Sequence, residues 1–229
     1  MIKTLFLISA FFIFNGCTSS DTPSNTDKNI TDEKDNLVEK EEIVTLKVKT
    51  LIKKTGEIKS YNEKGDEVTD DSLQDDGYYQ KGLSIDYTRA SDIVTDELNS
   101  LMWQDDNQVK DIKKQWLTDE NYNTCSDDFS STSCYDTTGD TAETYCSELT
   151  LGGYRDWRLP TSVELETIIN YGKYNPVIDE EYFQNISVGF YWSSSTYKEY
   201  ASNAWYIDFK YGDVYGVKKN YEAYVRCVR

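Results

Sequence analysis

Residues 151–165 read LGGYRDWRLPTSVEL, and the second half of this run carries a strong helix-start signal. Thr161 follows a proline and stands three residues before Glu164. This is the spacing of a capping box, in which each side chain binds the backbone N–H of the other residue. The apolar residues that follow recur at helical spacing and predict one buried face, formed by Leu165, Ile168 and Ile169. We therefore predict a helix that begins after Thr161 and ends at Gly172.

A second, shorter helix is predicted on the N-terminal side of this run. Asp140-x-x-Glu143 resembles another capping box, so the helix should begin near Asp140 or Thr141. Its inward face carries Tyr145, Cys146 and Leu149. Gly152-Gly153 should end it, because glycine readily adopts the left-handed conformation of a C-cap.

Beyond Gly189 the apolar period changes to two, which predicts strands. These strands span residues 190–193, 204–209, 214–217 and 224–228, with Tyr211-Gly212-Asp213 as a hairpin turn between the second and the third. Near the N-terminus, Val44, Leu46 and Val48 alternate with polar residues as in a half-buried strand. Thr55-Gly56 and Lys64-Gly65-Asp66 predict the turns of short hairpins.

The N-terminus has the layout of a bacterial lipoprotein signal. Lys3 precedes an apolar run over residues 4–14, and Asn15-Gly16-Cys17 follows, although Phe14 stands where Leu, Val or Ile is usual. About eleven apolar residues are too few to cross roughly 30 Å of hydrocarbon. We predict that residues 1–16 are a signal peptide and that Cys17 is the acylated N-terminus. The expected location is the cell envelope, with the acylated Cys17 in a lipid bilayer and the outer membrane of a Gram-negative bacterium preferred.

Residues 17–42 contain scarcely a hydrophobic side chain. Such a segment cannot bury enough apolar surface to offset the entropy of ordering, so we predict a disordered tether. Residues 43–86 then form a β-hairpin extension that precedes the main domain.

The charge of the chain restricts its partners. Removal of residues 1–16 takes away only Lys3, so 41 acidic residues face 23 basic ones and the formal charge becomes −18. Nucleic acid and heparin-like polyanions are not expected to bind such a chain without a local basic patch. The longest basic cluster, Lys47, Lys49, Lys53 and Lys54, begins by alternating as a solvated strand face does.

The chain contains no histidine. This removes the commonest general base, the commonest zinc and copper ligand, and every Ser-His or Cys-His catalytic pair.

Four cysteines remain besides Cys17: Cys125, Cys134, Cys146 and Cys227. In an oxidising compartment an even number predicts two disulfides, and three pairings remain open. A zinc site made of all four thiolates is the alternative, but the chain has no C-x-x-C pair.

Seven acidic residues crowd into residues 63–76: Glu63, Asp66, Glu67, Asp70, Asp71, Asp75 and Asp76. An oxygen-rich loop can bind calcium, but this spacing does not match an EF-hand loop. We predict a solvated acidic loop and no cofactor, with calcium as the alternative.

Several motifs occur in the order typical of one domain family. They are the run at residues 151–161, Asn175-Pro176-Val177-Ile178-Asp179, Tyr191-Trp192-Ser193-Ser194, Ala204-Trp205-Tyr206 and Tyr224-Val225-Arg226-Cys227-Val228-Arg229. Together they resemble the domain DUF1566, also called the C-terminal domain of the Legionella collagen-like adhesin. The likeness begins at Ile93-Val94-Thr95-Asp96 and Leu101-Met102-Trp103-Gln104 and covers about residues 87–229.

The resemblance implies an α+β fold similar to C-type lectins and to formylglycine-generating enzymes. In such a fold two helices pack on small antiparallel sheets, with a long and weakly regular loop region. In C-type lectins a similar disulfide joins the first helix to the last strand. The resemblance therefore implies a Cys146–Cys227 bridge, which leaves Cys125 with Cys134.

Several motif residues are expected to be structural. Trp157, Trp192 and Trp205 lie in apolar or strand-like runs and are predicted to belong to the core. Arg158 stands beside the predicted helix start, so it should pair with Glu164 or Glu166 rather than with a substrate.

Residues 171–203 are similar in position to the ligand-bearing long loop of C-type lectins. The candidate ligand-binding residues in this stretch are Asn175, Asp179, Tyr197, Tyr200 and Asn203. The calcium-and-sugar signatures of those lectins are missing from it, so calcium-dependent sugar binding does not carry over.

The sequence favours binding over catalysis. A formylglycine-generating enzyme needs free reactive thiols, which two disulfides would remove, and a carboxylate pair says little in a chain with 41 acidic residues. We predict a non-catalytic binding or adhesion module for a glycan or a surface protein, with an uncharged or cationic ligand. The alternatives are an envelope enzyme that modifies or hydrolyses glycans with carboxylates, and a structural envelope protein with a protein partner.

Overall fold

The computed structural model describes residues 52–69, 72–125 and 131–229, all within the compact unit Lys47–Arg229. The predicted signal peptide, Cys17, the tether and the strand at Val44–Val48 lie outside the described residues. Within those ranges, none of the helices has the length and hydropathy that crossing a bilayer requires.

The described part of the extension begins with a small hairpin. Strand β1 (Ser60–Tyr61) pairs antiparallel with β2 (Glu67–Val68), and Gly65 has a positive φ of 82° in the turn between them. Helix α1 (Asp76–Tyr79) follows, capped by the Asp75 side chain.

Lys53 corrects the prediction of a solvated basic face. Its side chain is only 10% exposed and forms an ion pair with the fully buried Asp96. Its ammonium also donates to the Tyr87 hydroxyl at 3.2 Å. Alternation along the sequence could not show this, because the partner lies 43 residues away.

A three-stranded antiparallel sheet comes next, made of β3 (Tyr87–Ala90), β4 (Ile93–Asp96) and β5 (Leu101–Gln104). A five-stranded sheet contains β6 (Lys113–Lys114), β7 (Phe190–Thr196), β8 (Asn203–Asp208), β9 (Asp213–Lys218) and β10 (Ala223–Tyr224). Its spatial order is β6-β10-β7-β8-β9, so β9 lies at one edge. The turn at Tyr211-Gly212-Asp213 joins β8 to β9 as predicted.

The predicted last strand over residues 224–228 is wrong beyond Tyr224. The chain leaves the five-stranded sheet there and runs along β5 instead. Gln104 N–H donates to the Cys227 carbonyl and Met102 N–H to the Arg229 carbonyl, both at 2.9 Å. Val228 bridges to Trp103 and also to Arg158, so the C-terminal residues connect the two sheets.

The short helices of the domain are α2 (Gln108–Asp111), α3 (Asp119–Thr124), a 3₁₀ turn at Thr132–Tyr135, α4 (Ala142–Glu148) and α5 (Ser162–Glu166). The two predicted helices correspond to α4 and α5. Together with the two small sheets they make the fold α+β, as predicted.

Helix α5 has the capping box that the sequence predicts, with Thr161 as N-cap and Glu164 returning the bond. It ends at Glu166 rather than at Gly172, because the next N–H groups bond three residues back instead of four. Leu165, Ile168 and Ile169 are nevertheless all buried.

Helix α4 begins where predicted, with Thr141 as its N-cap, but its capping box and its C-terminal end differ from the prediction. Its capping box is formed by Thr141 and Thr144, not by Asp140 and Glu143. Leu149 already has an extended backbone, so the helix stops before Gly152. Cys146 is fully buried on the inward face, while Tyr145 and Leu149 are partly buried.

The five-stranded sheet is packed on both faces. Tyr191 belongs to a core cluster with Trp103, Leu165 and Ile207, whereas its neighbour Trp192 belongs to a second cluster with Trp157. Successive side chains of a strand point to opposite faces, so β7 separates the two clusters. Trp157 and Trp192 are core residues as predicted, whereas Trp205 is only partly buried.

Two disulfides close the domain, Cys146–Cys227 and Cys125–Cys134. This is the pairing that the resemblance implies. The first bridge joins α4 to the C-terminal segment and closes 81 residues, while the second closes nine.

The long bridge should stabilise the domain more than the short one. In the chain-entropy view the longer loop contributes about 4.5 kcal/mol and the shorter about 2.6 kcal/mol. We expect Cys146→Ala/Cys227→Ala to lose more free energy of unfolding in urea than Cys125→Ala/Cys134→Ala. Equal losses, or a reversed order, would contradict this account.

A buried charge network, which the sequence analysis missed, connects β5 to the segment before β7. The Asp105 carboxylate is fully buried and accepts from the guanidinium groups of Arg89 and Arg226, the latter at 2.9 Å. It also accepts from the backbone N–H groups of Gln184 at 3.0 Å and Asn185 at 3.2 Å. The long loop before β7 is therefore bound to the end of β5 by charge-assisted hydrogen bonds.

Replacement of Asp105 by Asn should lower the free energy of unfolding by about 3 kcal/mol or more, because it leaves buried guanidinium charge uncompensated. The matched control is Asp111→Asn, at the exposed end of α2, which should stay within about 0.5 kcal/mol of the wild type. Chemical denaturation measures both. Equal stability of the two variants would show that the buried Asp105 network does not stabilise the fold.

Candidate functional site

Three aromatic side chains meet where β7 passes into β8. The rings of Tyr197 and Tyr200 stack with centroids 6.0 Å apart and planes inclined by 21°. The Trp205 ring meets Tyr197 edge-on at 4.7 Å. We call Tyr197, Tyr200 and Trp205 the aromatic cluster.

The hairpin between β7 and β8 places these side chains. Tyr197 N–H donates to the Asn203 carbonyl at 2.9 Å, and Asn203 N–H donates to the Tyr200 carbonyl at 3.0 Å. The register of β7 against β8 shifts between Trp192 and Thr196, immediately before this turn. The structure therefore brings three of the predicted residues together, namely Tyr197, Tyr200 and Asn203.

Gly216 on β9 leaves room for the Tyr197 ring to pack against the strand. Gly216 pairs in register with Trp205. A Cβ atom at Gly216 would lie 3.0 Å from both Cγ and Cδ2 of Tyr197, closer than such atoms normally approach. The missing side chain therefore lets the tyrosine lie directly over the strand. Neither Gly216 nor Trp205 was predicted to belong to a site.

The cluster offers aromatic faces and phenol groups, one of which lies beside a carboxylate. Tyr200 is 44% exposed, and the Tyr197 hydroxyl donates to the Glu199 carboxylate at 3.0 Å. The hydrogen bond to Glu199 raises the pKa of the Tyr197 phenol, so this group stays protonated at neutral pH. Such a surface can stack against a flat ligand and exchange hydrogen bonds at its rim.

Asn175 and Asp179 do not join the cluster. They flank Val177, whose N–H donates to the Phe209 carbonyl just beyond the last residue of β8. Asn203 is the first residue of the same six-residue strand, about 20 Å away along the sheet. Asp179 instead organises its own turn, where its carboxylate accepts from Glu181 N–H at 3.3 Å.

Three acidic residues of the extension, Glu67, Asp75 and Asp76, serve local structure. Asp75 caps α1 and also accepts from the Ser60 hydroxyl, Asp76 accepts from Thr55, and Glu67 pairs with Lys59 at 2.6 Å. Among the residues that the structure describes, no three His, Cys, Asp or Glu side chains are grouped as a metal site requires. Asp70 and Asp71 lie outside the described residues.

A separate polar cleft of about 590 Å³ lies beside α4, and the sequence analysis did not find it. Its lining includes Gln108, Lys114, Asp140 and Tyr145. These groups are engaged with one another or with the core. Tyr145 donates to Gln108 at 2.8 Å and accepts from Gln104 at 2.9 Å, and Lys114 pairs with Asp140. The cleft is thus bordered by hydrogen bonds already made within the protein.

Arg158 has the structural role that the sequence predicts. Its guanidinium donates to both carboxylate oxygens of Glu164, at 2.6 and 2.8 Å. The hydrogen bonds from Arg158 are the largest cause that lowers the pKa of Glu164 to about 2. The pair ties the strand-like segment at Arg158 to the start of α5.

Comparison with known protein families assigns most of this chain to one family. No curated protein matches the chain. Residues 92–229 match the Lcl C-terminal domain, a range that contains the aromatic cluster and all four disulfide cysteines. This match covers more than half of the chain and confirms the resemblance that the sequence motifs indicate. The chain therefore belongs to the Lcl C-terminal domain family.

Proposed function

We propose that this chain is a lipid-anchored envelope protein whose Lcl C-terminal domain binds an uncharged glycan at the aromatic cluster. The single observation that carries the proposal is the stacked Tyr197–Tyr200 pair, with Trp205 edge-on to it and Gly216 beneath it. The family supports an adhesion-related module.

The chemistry of the cluster suits a sugar ring. Tyrosine and tryptophan supply rigid aromatic area at low conformational entropy, and their polar tips remain available for hydroxyl groups. The formal charge of −17 opposes polyanionic ligands such as heparin. Cationic ligands are the rival, because ring faces also attract ammonium groups.

Binding without chemistry fits the groups that the site presents. The cluster offers ring faces and two phenols, and Asn203 lies at the end of the same turn. The cysteines at 125, 134, 146 and 227 are held in disulfides, which leaves none of them as a nucleophile. We also propose a C-type-lectin-like frame, supported by the bridge from α4 to the C-terminal segment and by the two small sheets.

A glycan array with the purified chain, run with and without calcium, tests the ligand class. Replacement of Tyr197 and Tyr200 by Ala should weaken binding about tenfold or more, because stacked contacts of about 0.5 to 1.5 kcal/mol each are lost. The matched control is Tyr61→Ala, which removes a tyrosine that is 49% exposed on β1, outside the family match.

Gly216→Val gives an independent test of the same site. The new side chain displaces Tyr197 without deleting an aromatic ring, so binding should fall while the fold persists. Wild-type binding by the Tyr197/Tyr200 variant, or an equal loss in Tyr61→Ala, would place the site elsewhere. Heparin as the tightest ligand at physiological salt would defeat the electrostatic argument.

The lipid anchor is tested separately. Cys17→Ser should prevent acylation and release the protein from the membrane fraction, because the acyl chains are the proposed attachment. Fractionation of cells with an antibody against the chain measures this. A variant that is still processed after residue 16 and needs detergent for extraction would contradict the anchor.

A further inference from the structure

Lys219, the residue that follows β9, is a charged side chain placed wholly inside the protein. Its ammonium donates to the Cys134 carbonyl at 2.6 Å and to the Thr196 hydroxyl at 3.0 Å. It lies 3.9 Å from the centre of the Trp116 ring and 4.8 Å from that of Tyr135. Within the described part of the chain, its ammonium forms no ion pair with a carboxylate.

Such a placement is energetically unfavourable unless the ammonium is paired or hydrogen-bonded. Lysine is almost never fully buried without a partner, since removal of an ammonium from water costs several kcal/mol. Burial lowers the pKa of Lys219 to about 8. Two hydrogen bonds and two ring faces offset part of this penalty. A methionine could fill a similar volume, so packing alone does not require a lysine here. The hydrogen bonds and ring contacts of the ammonium are what distinguish lysine at this position.

Lys219 contacts both ends of the turn that carries the tyrosines, one end through its ammonium and the other through its backbone. Thr196 is the last residue of β7 and directly precedes Tyr197. The backbone N–H of Lys219 donates to the Ser202 carbonyl at 2.9 Å, directly before Asn203. Lys219 is therefore hydrogen-bonded at both ends of the turn formed by residues 197–202.

The remaining contact leads to the short disulfide. The Cys134 carbonyl belongs to the 3₁₀ turn Thr132–Tyr135, and Cys134 is bridged to Cys125. Tyr135, from the same turn, covers the ammonium from one side. A single ammonium group thus joins the backbone of a disulfide cysteine to the residue that precedes Tyr197.

We propose that Lys219 is a positioning residue for the aromatic cluster, and that through it the Tyr197–Tyr200 pair depends on the Cys125–Cys134 disulfide. The functional importance of this dependence rests on the proposed glycan site. The coupling itself is a property of the ligand-free protein.

Amide hydrogen exchange in the ligand-free full chain tests the coupling. The reporters are the N–H groups of Tyr197 and Asn203, which are hydrogen-bonded across the turn. Lys219→Met should accelerate their exchange about tenfold or more, as the loss of a charge-assisted hydrogen bond implies. Cys125→Ser/Cys134→Ser should act in the same direction. The matched control is Lys218→Met, at the exposed neighbouring residue, which should leave both rates unchanged.

The combined variant distinguishes coupling from independent damage. If the disulfide acts through Lys219, Lys219→Met together with Cys125→Ser/Cys134→Ser should exchange no faster than the faster parent. Lys219→Gln, which keeps an N–H donor, should restore part of the protection. Multiplied rates in the combined variant would overturn the coupling, as would unchanged rates in Lys219→Met.

The N–H of Gln104, bonded to Cys227 in the core, reports global stability. Equal acceleration at Gln104 would make Lys219 a general stabilising residue and overturn the positioning role. The same variants on the glycan array then measure the effect on binding. Absence of any wild-type array signal would defeat the proposed function and leave the exchange result standing.

Discussion

One buried carboxylate determines how the long, irregular loop of this domain is held. Asp105 lies between two guanidinium groups and accepts from two backbone N–H groups of that loop. Arg226 also donates to the carbonyls of Gln104 and Asn185, so the charges bind backbone from two distant segments. Because the low dielectric of the interior strengthens satisfied charge pairs and penalises broken ones, this network allows few alternative arrangements. It holds the segment that leads into β7, and the far end of β7 carries the aromatic cluster.

The aromatic cluster is exposed because it lies beyond the part of the five-stranded sheet that is packed on both faces. Tyr191 and Trp192 are both fully buried, on opposite faces of β7, because the sheet is packed on both sides there. Towards the edge strand β9 the side chains are less buried, and Trp205 on β8 remains partly accessible. Tyr197 then fills the space above Gly216. The cluster is therefore made of large aromatic residues at the margin of the core, where one ring face packs and another meets water.

Local signals in the sequence predicted local structure well. The capping box of Thr161 and Glu164 and the turn at Tyr211-Gly212-Asp213 depend on residues within a few positions, and both are present. The partner of Arg226 is 121 residues away, and no periodicity reveals such a pairing. The same distinction applies to the site. The sequence analysis named five candidate residues in one stretch, and the structure brings Tyr197, Tyr200 and Asn203 together because one short turn carries them. It leaves Asn175 and Asp179 apart from them, because sequence position within a long loop does not tell which end of a strand the loop approaches.

One disulfide constrains the whole domain, and the other constrains a short local segment. Cys146–Cys227 joins α4 to the C-terminal segment, and that segment bonds to both β5 and Arg158, so the bridge constrains the whole domain. Cys125–Cys134 closes only nine residues, and the Cys134 carbonyl accepts from the buried Lys219 ammonium. A binding surface of a few rings gains affinity when its side chains are fixed before the ligand arrives, since each rotamer ordered on binding costs about 0.5 to 1.5 kcal/mol. Gly216 below and Lys219 behind fix the turn in that sense. Under the proposed binding function, preorganisation accounts for a buried charge beside the aromatic cluster, whereas overall stability would be served as well by an apolar side chain.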